Sequence, residues 1–454
     1  MKRLLNCLLI ALVVATGFAT TAAALRLPWH RKKAIPDVQA SPAKGKTVPA
    51  PRISPERKIS AASDEDGLVS KPGPIRSGPP AELLMMRAAS SRIDLRALPQ
   101  TPQPLMERQE REAPAISRGT IRGSVVPPEE SRQAVPAQNA PAPPPVMNFD
   151  GLDFANWGNG HPPDTNGDVG PAYYIQTVNT SIGVFRKSDG VRVAGFSFNT
   201  FMSQGHFGNL CDTNNFGDPV VLYDSFEDRW IITDFAFQLS GNNVVNPPGN
   251  FQCFAASMSG DPVSGGWNFY SINTAGGLGD YPKLSIWPDG LYMSVNMFDY
   301  AGNGDFQNPR VYALNKAQMY AGKPSIQVVT FNAPSADFTI LPSNARLQTG
   351  TPPPGAPNYF ISSWEFLNAL TIYKFHVDWT RPSASTFTGP DVPQSATSWP
   401  NDVVPDAPSQ GGSSLDVLQI RAMVQNQYTN LGGVESLWVP HTVRRPGTDG
   451  SGNP

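Results

Sequence analysis

The sequence predicts an all-β protein, and three observations on residues 146–443 support that prediction. Apolar and aromatic residues alternate with polar ones in short runs, which is the period of a half-buried strand. Turn residues join these runs in pairs, as Asp189-Gly190 and Asp289-Gly290 do in two predicted hairpins. Within this part of the chain only residues 313–322 look helical. We therefore expect antiparallel sheet.

Residues 1–24 have the layout of a secretory signal peptide. Two basic residues precede an apolar run from Leu4 to Phe18, and small residues follow as far as Ala24. The apolar run is shorter than the roughly 20 residues of a membrane-spanning helix, which favours cleavage after Ala24 over a retained anchor. We expect a secreted protein, extracellular or periplasmic, with no stable transmembrane segment after cleavage.

Residues 25–145 are rich in proline, alanine, serine and charge and have no apolar periodicity. Such a segment cannot bury enough apolar surface to offset its ordering entropy. We predict a disordered, partly extended tether. Within it, residues 81–98 are a candidate for a transient helix.

An inexact internal repeat suggests how the strands are organised. Residues 217–237 and 279–298 both begin with Gly-Asp and continue as a strand, an acidic turn and a second strand, about 60 residues apart. Residues 357–379 and 418–443 each contain a further pair of strands. Repeated four-stranded antiparallel units lose their exposed edges when they form the blades of a β-propeller. We predict a propeller over residues 146–443, with a two-sheet sandwich as the alternative.

Five segments also carry a family resemblance, which spans most of this region. They are residues 162–185, 217–237, 280–298, 375–389 and 435–443. In this order they resemble landmarks of large secreted bacterial β-propeller proteins, which are loosely sialidase-like in shape and mostly have no assigned activity. The resemblance implies the propeller fold far more than any reaction.

The C-terminal end departs from this resemblance. Such proteins usually continue with another blade, whereas residues 444–454 are rich in glycine and proline and have no strand pattern. We expect either a propeller that closes with fewer blades or one that is truncated. Residues 444–454 are predicted to be a disordered tail.

The stretch before the first predicted propeller strand contains a candidate calcium site. Asp164, Asn166 and Asp168 alternate oxygen-bearing side chains, as in a loop that wraps a hard cation. The sixth and twelfth positions are Val169 and Ile175, which excludes an EF-hand. Two interpretations stay open. Backbone carbonyls or a distant carboxylate complete a structural calcium site, or the segment is an Asx-rich turn that caps a strand.

Two cysteines stay in the chain after signal cleavage, Cys211 and Cys253. An even pair in an exported protein favours a disulfide. Two buried free thiols are the alternative, since spacing alone does not show that the pair meets in space.

Candidate catalytic groups are few. Asp224, Glu227 and Asp228 could supply the acid and base of a glycosidase, but acidic residues are routine in hairpin connections. Residues 259–267 resemble a degenerate Asp-box, a structural turn of sialidase-like blades. A sialidase also needs three clustered arginines, and no spacing selects three from the candidates Arg186, Arg192, Arg229, Arg310, Arg346 and Arg421.

Other chemistries lack a sequence signal. The histidines are scattered without the spacing of a zinc site, and no nucleophile elbow or phosphate loop is present. We expect no cofactor apart from the calcium. The formal net charge is -2 and the predicted propeller has no basic stripe, so nucleic-acid binding is not expected.

We therefore expect an exported binding or scaffolding propeller that recognises a glycan, a cell-surface partner or another extracellular partner through loops at one end. The alternative is a sialidase-like carbohydrate-active hydrolase or lyase, since fold analogy cannot choose between the two. An acid pair with an arginine cluster in the central channel would favour the enzyme. A channel lined by backbone and small residues would favour binding.

Overall fold

The computed structural model describes residues 75–76, 79–102, 144–158, 162–240, 243–245, 249–274, 277–299, 304–364, 369–391, 418 and 421–442. All of them belong to the larger of two units of the chain, Ser70–Pro454. The predicted signal peptide and the predicted tail of residues 444–454 lie outside the described residues. Where the chain is described, it contains no helix with the length and apolar character to cross a membrane.

The structure is mostly β, as predicted, with strands numbered along the chain. Two strands come first, β1 (Ile75–Arg76) and β2 (Ala81–Ser91). Sixteen of the strands that follow form four consecutive antiparallel meanders of four strands each. The described α-helices are short: α1 (Phe154–Trp157), α2 (Phe198–Met202) and α3 (Lys316–Tyr320).

The four meanders are defined by their strands. Meander 1 contains β3 (Asn166–Val169), β4 (Tyr173–Val178), β5 (Ser181–Arg186) and β6 (Arg192–Ser197). Meander 2 contains β7 (Asn215–Asp224), β8 (Arg229–Ala236), β11 (Phe251–Ser257) and β12 (Trp267–Asn273), with a hairpin of β9 (Gln238–Ser240) and β10 (Asn243–Val245) after β8. Meander 3 contains β13 (Leu278–Trp287), β14 (Gly290–Asp299), β15 (Asp305–Leu314) and β16 (Ser325–Asn332). Meander 4 contains β17 (Leu341–Asn344), β18 (Asn358–Trp364), β19 (Ala369–His376) and β20 (Thr386–Asp391). A last hairpin joins β21 (Asn426–Leu431) to β22 (Val434–Trp438).

The meanders do not all stand as separate sheets. In β2, residues 81–86 pair with β16 and residues 87–91 pair with β12, which merges meanders 2 and 3 into a nine-stranded sheet. Meander 4 becomes a seven-stranded sheet, because β1 adds to β20 and the last hairpin adds to β17. Meander 1 is a four-stranded sheet of its own. These sheets by themselves therefore do not show the predicted propeller of separate four-stranded blades.

Part of the predicted tether is ordered strand. Residues 81–91 form β2, whose first half pairs with β16 and whose second half pairs with β12, instead of a disordered segment or a transient helix. The side chain of Met85 is buried, and the following 3-10 turn buries Leu95 in the core. The prediction failed because both partner strands lie far along the chain, so no local pattern announces them. Most of the rest of residues 25–145 lies outside the described part.

The predicted hairpins are confirmed. β5 pairs with β6, β7 with β8 and β13 with β14, each across the turn that the sequence indicated. At Gly190 the backbone takes a φ of 71°, a value that glycine tolerates without strain. Gly190 N–H donates to the carbonyl of Arg186 and closes the first of these turns.

Three large apolar clusters fill the space between successive meanders. The first joins Ile175 and Val184 of meander 1 to Ile232 of meander 2, and the other two link meanders 2 with 3 and 3 with 4 in the same manner. Three tryptophans are fully buried in these clusters, as expected for aromatic residues in strands: Trp230, Trp267 and Trp287. Each meander therefore packs its faces against its neighbours along the chain.

The predicted disulfide is confirmed. Cys211 and Cys253 are bonded, with their Cα atoms 5.9 Å apart and a sequence separation of 42. Both are fully buried, and the bond fixes the 3-10 turn Leu210–Asp212 to β11.

We predict that loss of this disulfide lowers the free energy of unfolding by about 2–4 kcal/mol, because the unfolded chain regains the entropy of an open loop. Urea unfolding of Cys211→Ala/Cys253→Ala against the unsubstituted chain measures the change. Mass spectrometry of unreduced peptides should find the two cysteines linked, and free thiols on both would contradict the structure.

A second prediction concerns β2. Met85→Ala should destabilise the protein by about 2–5 kcal/mol, as expected when a buried large side chain is truncated. Leu84→Ala is the matched control, since Leu84 is 67% exposed on the same strand. Urea unfolding compares the two variants. Equal and negligible effects would show that residues 81–91 are a tether after all.

Candidate functional site

A cavity of about 470 Å³ lies where the first strands of the meanders come together. Its size is within the range typical of small-molecule sites. Its walls come from residues 164–168 at β3, 218–222 on β7, three residues of β13, Arg346 after β17, and residues 423–425 before β21. Strands of meanders 1, 2 and 3, the segment after β17 and the segment before β21 therefore all contribute, which makes this cavity the candidate site.

The three predicted calcium ligands lie in the cavity wall. Asn166 Oδ1 accepts from the backbone N–H of Val221 at 2.8 Å. Asp168 Oδ2 accepts from the N–H of Tyr223 at 2.8 Å, and its Oδ1 accepts from Val169 N–H at 2.7 Å. Two of the three side chains thus join β3 to β7. Of the two interpretations, these bonds favour an Asx structure, although its partners lie mainly on the next meander.

The calcium site stays a prediction. Asp164, the third candidate ligand, lines the cavity with a left-handed φ of 44°. Among the described residues, no three Asp, Glu, His or Cys side chains are grouped closely enough to hold a metal ion. A calcium ion here would need backbone carbonyls or amide oxygens for most of its six to eight ligands.

Similar Asx bonds connect the remaining first strands. Asp218 Oδ2 accepts from Tyr281 N–H at 3.2 Å, which links β7 to β13. Asn344 Oδ1 accepts from Ile286 N–H at 2.8 Å, which links β17 to β13. These strands belong to neighbouring meanders and lack a full ladder between them, so side chains satisfy backbone groups that would otherwise be unpaired. The sequence feature that indicates these bonds is an Asx residue in the first strand of each meander, and not a metal-binding motif in a single strand.

A second repeated feature was missed at the sequence level. Near the start of each first strand, and ahead of β21, one non-glycine residue has a left-handed backbone. They are Asp164, Asp218, Tyr281, Thr339 and Leu418, with φ between 44° and 63°. Such a conformation is uncommon outside glycine and persists where the surroundings enforce it. Its recurrence shows that the chain enters the cavity region in a similar way each time.

Arg346 is the cavity's ion-paired arginine. Its Nη2 lies 2.7 Å from Asp168 Oδ2, and the two side chains are 23% and 9% exposed. The pair joins meander 4 to meander 1 across 178 residues of sequence. Of the other candidate arginines, Arg421 packs on the ring of Tyr281 without lining the cavity, and the rest have structural contacts elsewhere. Arg186, for instance, pairs with Asp189 on an exposed turn, and Arg310 bonds Asn332. The arginine cluster of a sialidase is not assembled in the described residues that line the cavity.

The candidate acids of the β7–β8 turn are engaged in structure. Asp224 is fully buried, and its Oδ2 lies 2.8 Å from Lys316 Nζ and accepts from Tyr320 Oη at 2.9 Å. Its Oδ1 accepts from the N–H of Phe226 at 2.9 Å. With both oxygens bonded and no exposure, Asp224 fixes the turn to α3 and has no access to a substrate.

Asp228 is also structural. It accepts from Tyr223 Oη at 2.6 Å, and burial together with this bond raises the pKa of Tyr223 well above its usual range. Neither Asp224 nor Asp228 lines the cavity. Glu227, the third candidate acid, is exposed and does not line the cavity either. The three candidate acids therefore lie away from the candidate site, which favours their interpretation as a turn.

The Asp-box resemblance corresponds to a real turn between β11 and β12. Asp261 Oδ1 accepts from Val263 N–H at 2.8 Å, and Trp267 Nε1 donates to the carbonyl of Pro262 at 2.9 Å. Trp267 is buried in the first apolar cluster. The turn is structural, as the sequence indicated, and does not line the cavity.

Asp234 is a buried acid that sequence analysis did not single out. It lies directly across the ladder from Cys253, and neither carboxylate oxygen has a hydrogen-bond partner among the described residues. Burial raises its pKa well above the usual value, since an unpaired charge is costly away from water. Asp234 belongs to the core between meanders 1 and 2 and not to the cavity wall.

Comparison with known proteins gives no match to a family model, to a curated protein or to a solved structure. The resemblance to secreted propeller proteins therefore rests on the quoted segments alone and stays a prediction.

We predict that Asp224→Ala costs about 3–5 kcal/mol of unfolding free energy, because it leaves the Lys316 ammonium buried and unpaired. Adding Lys316→Met should recover much of the loss. Asp189→Ala, which breaks the exposed pair with Arg186, is the control and should cost no more than about 1 kcal/mol. Urea unfolding of the four proteins provides the comparison. A stable Asp224→Ala variant that has lost a glycan-cleaving activity would contradict the structural role.

Proposed function

We propose that this chain is an exported β-propeller that binds a glycan or a glycan-bearing extracellular partner in its central cavity. The observation that carries the proposal is the cavity itself, which is lined by meanders 1, 2 and 3, by Arg346 after β17 and by the segment before β21. A site assembled from several repeats of a rigid scaffold is a common place for ligand recognition.

Several features support the propeller arrangement. The first strands lie side by side in chain order, with β7 between β3 and β13, and β17 between β13 and β21. The ion pair of Arg346 with Asp168 brings meander 4 back to meander 1. In this arrangement the nine-stranded sheet is two blades whose outermost strands share β2. The hairpin β21–β22 takes the position of a fifth blade.

The chemistry of the cavity favours binding over hydrolysis. Its carboxylates and amides suit the hydroxyls of sugar rings. Asp168 and Arg346 neutralise each other, and the acids of the β7–β8 turn lie elsewhere. The sialidase-like hydrolase or lyase therefore has less support than a binding protein. Structural calcium at Asp164 remains part of the proposal.

The test is a glycan array with the purified full chain, with and without a calcium chelator. We expect binding to a subset of glycans, and a loss of about tenfold or more in affinity for Asp218→Asn, whose carboxylate lines the cavity. Asp189→Asn, on an exposed turn, is the matched control and should bind normally.

The calcium proposal has its own outcome in this experiment. If calcium is bound at Asp164, chelator should weaken binding by the unsubstituted chain and leave Asp164→Ala unchanged. Clean hydrolysis of an arrayed glycan would overturn the proposal of binding without catalysis. An array without any bound glycan would overturn the glycan as ligand.

A further inference from the structure

Tyr281 is the centre of a positively charged part of the cavity. It opens the irregular stretch of β13 between Asp280 and Lys283, where the register of pairing with β14 shifts. The Nζ of Lys283 lies 3.4 Å from the centre of the Tyr281 ring, and the guanidinium carbon of Arg421 lies 4.7 Å from it. Two cations from separate parts of the chain therefore contact one aromatic ring.

Neither cation has an acidic partner among the described residues. The ion pairs found there involve other bases, including Arg346 with Asp168 and Lys316 with Asp224. Arg421 is held between two rings, since Phe338 lies 5.2 Å from its guanidinium on a second contact. Its Nε is buried without a hydrogen-bond acceptor in the described structure. The two positive charges are thus balanced by ring faces and not by carboxylates.

The acids near the cavity are placed differently. Asp164, Asp168 and Asp218 belong to β3 and β7, on the side of meanders 1 and 2. Asp168 is neutralised by Arg346, and Asp218 and Asp280 each accept from the backbone N–H of Tyr281. Carboxylates therefore lie along meanders 1 and 2 and at the backbone of Tyr281, whereas Lys283 and Arg421 place two cations at its ring, where meander 3 meets the segment before β21.

Lys283 is the cation that a ligand can reach. It lines the cavity and is partly exposed, whereas Arg421 lies behind the Tyr281 ring and is not part of the wall. An ammonium in such a position has three donors, and a ring face leaves its remaining N–H groups open to an oxyanion. Arg421 adds to the positive potential at the same place, because partly buried charges are weakly screened.

We propose that this part of the cavity binds the anionic group of an acidic saccharide, a carboxylate or a sulfate, with Lys283 as the direct ligand and Arg421 as a positioning residue behind Tyr281. The saccharide rests on the proposed function, whereas the anion subsite stands on the geometry of Lys283. In the bound state the sugar hydroxyls would face the carboxylate of Asp164 on the wall of meander 1, because carboxylates accept from hydroxyl groups.

The subsite is tested first with inorganic sulfate alone. The full chain is titrated with sodium sulfate and, separately, with sodium chloride at matched ionic strength, and thermal melting is recorded. We expect a saturable sulfate-specific rise in melting temperature for the unsubstituted chain and for Lys283→Arg. Lys283→Met should lose about tenfold or more in apparent affinity.

Lys374→Met is the control, because Lys374 is an exposed lysine that pairs with Asp391 away from the cavity. It should behave as the unsubstituted chain does. A sulfate response equal to that of chloride, or one unchanged in Lys283→Met, would overturn the subsite. If Lys283→Met does not fold, as judged from its melt in chloride, Lys283→Gln takes its place.

A second experiment separates this inference from the proposed function. Carboxylated, sulfated and neutral oligosaccharides are compared on the array with the unsubstituted chain and Lys283→Met. Binding of acidic sugars that Lys283→Met loses supports both proposals and shows which anion is preferred. Neutral sugars bound equally by both proteins would leave the binding function standing and refute the anion subsite. A Lys283-dependent sulfate response without any bound sugar would support the anion subsite and refute glycan binding.

Discussion

The architecture around the cavity depends on one carboxylate, that of Asp168. Its two oxygens hold its own strand, the N–H of Tyr223 on β7 and the guanidinium of Arg346 beyond β17. One side chain therefore connects meanders 1, 2 and 4. Because the first strands have no continuous ladder between them, such bonds decide how closely the meanders approach one another and so how large the cavity is. The weaker Asx bonds at Asp218 and Asn344 repeat the same solution at the neighbouring boundaries.

The last strands of meanders 2, 3 and 4 are covered by additional strands and not by side-chain bonds. An edge strand presents unpaired backbone groups, and a long exposed edge is a template for association with other chains. Strand β2 pairs with the outermost strands of meanders 2 and 3 at once, so a single segment covers two edges. β1 covers part of β20. Meanders 2 and 3 are therefore joined at two places, by side-chain bonds between their first strands and by β2 along their last strands. An apolar cluster fills the space between the two meanders.

The sequence was informative where the determinants are local. Alternation and Asp-Gly turns predicted the hairpins, and the even cysteine pair that follows a predicted signal peptide predicted the disulfide. β2 was missed because its two partner strands lie more than a hundred residues away and its own apolar run has no alternation. Sequence analysis singled out Asp168 because it is an oxygen-bearing side chain in the first strand of the predicted propeller. Residue spacing alone cannot distinguish a metal ion from a backbone amide as the partner of that oxygen. Tyr281 and Arg421 meet only in the folded chain.

Cavity residues differ in whether they also hold the scaffold together, and this difference decides which substitutions test ligand binding alone. Asp168 and Asn166 line the cavity, but their oxygens bond backbone groups of β7, so a substitution there changes the scaffold and the ligand site together. Lys283 lines the cavity with a ring contact as its described partner, and its ammonium bonds no backbone group that the structure describes. A side chain that lines a cavity and contributes little to the scaffold is better explained by a ligand than by folding. By this criterion a substitution at Lys283 tests the proposed ligand site with little effect on the scaffold, whereas a substitution at Asp168 or Asn166 changes both.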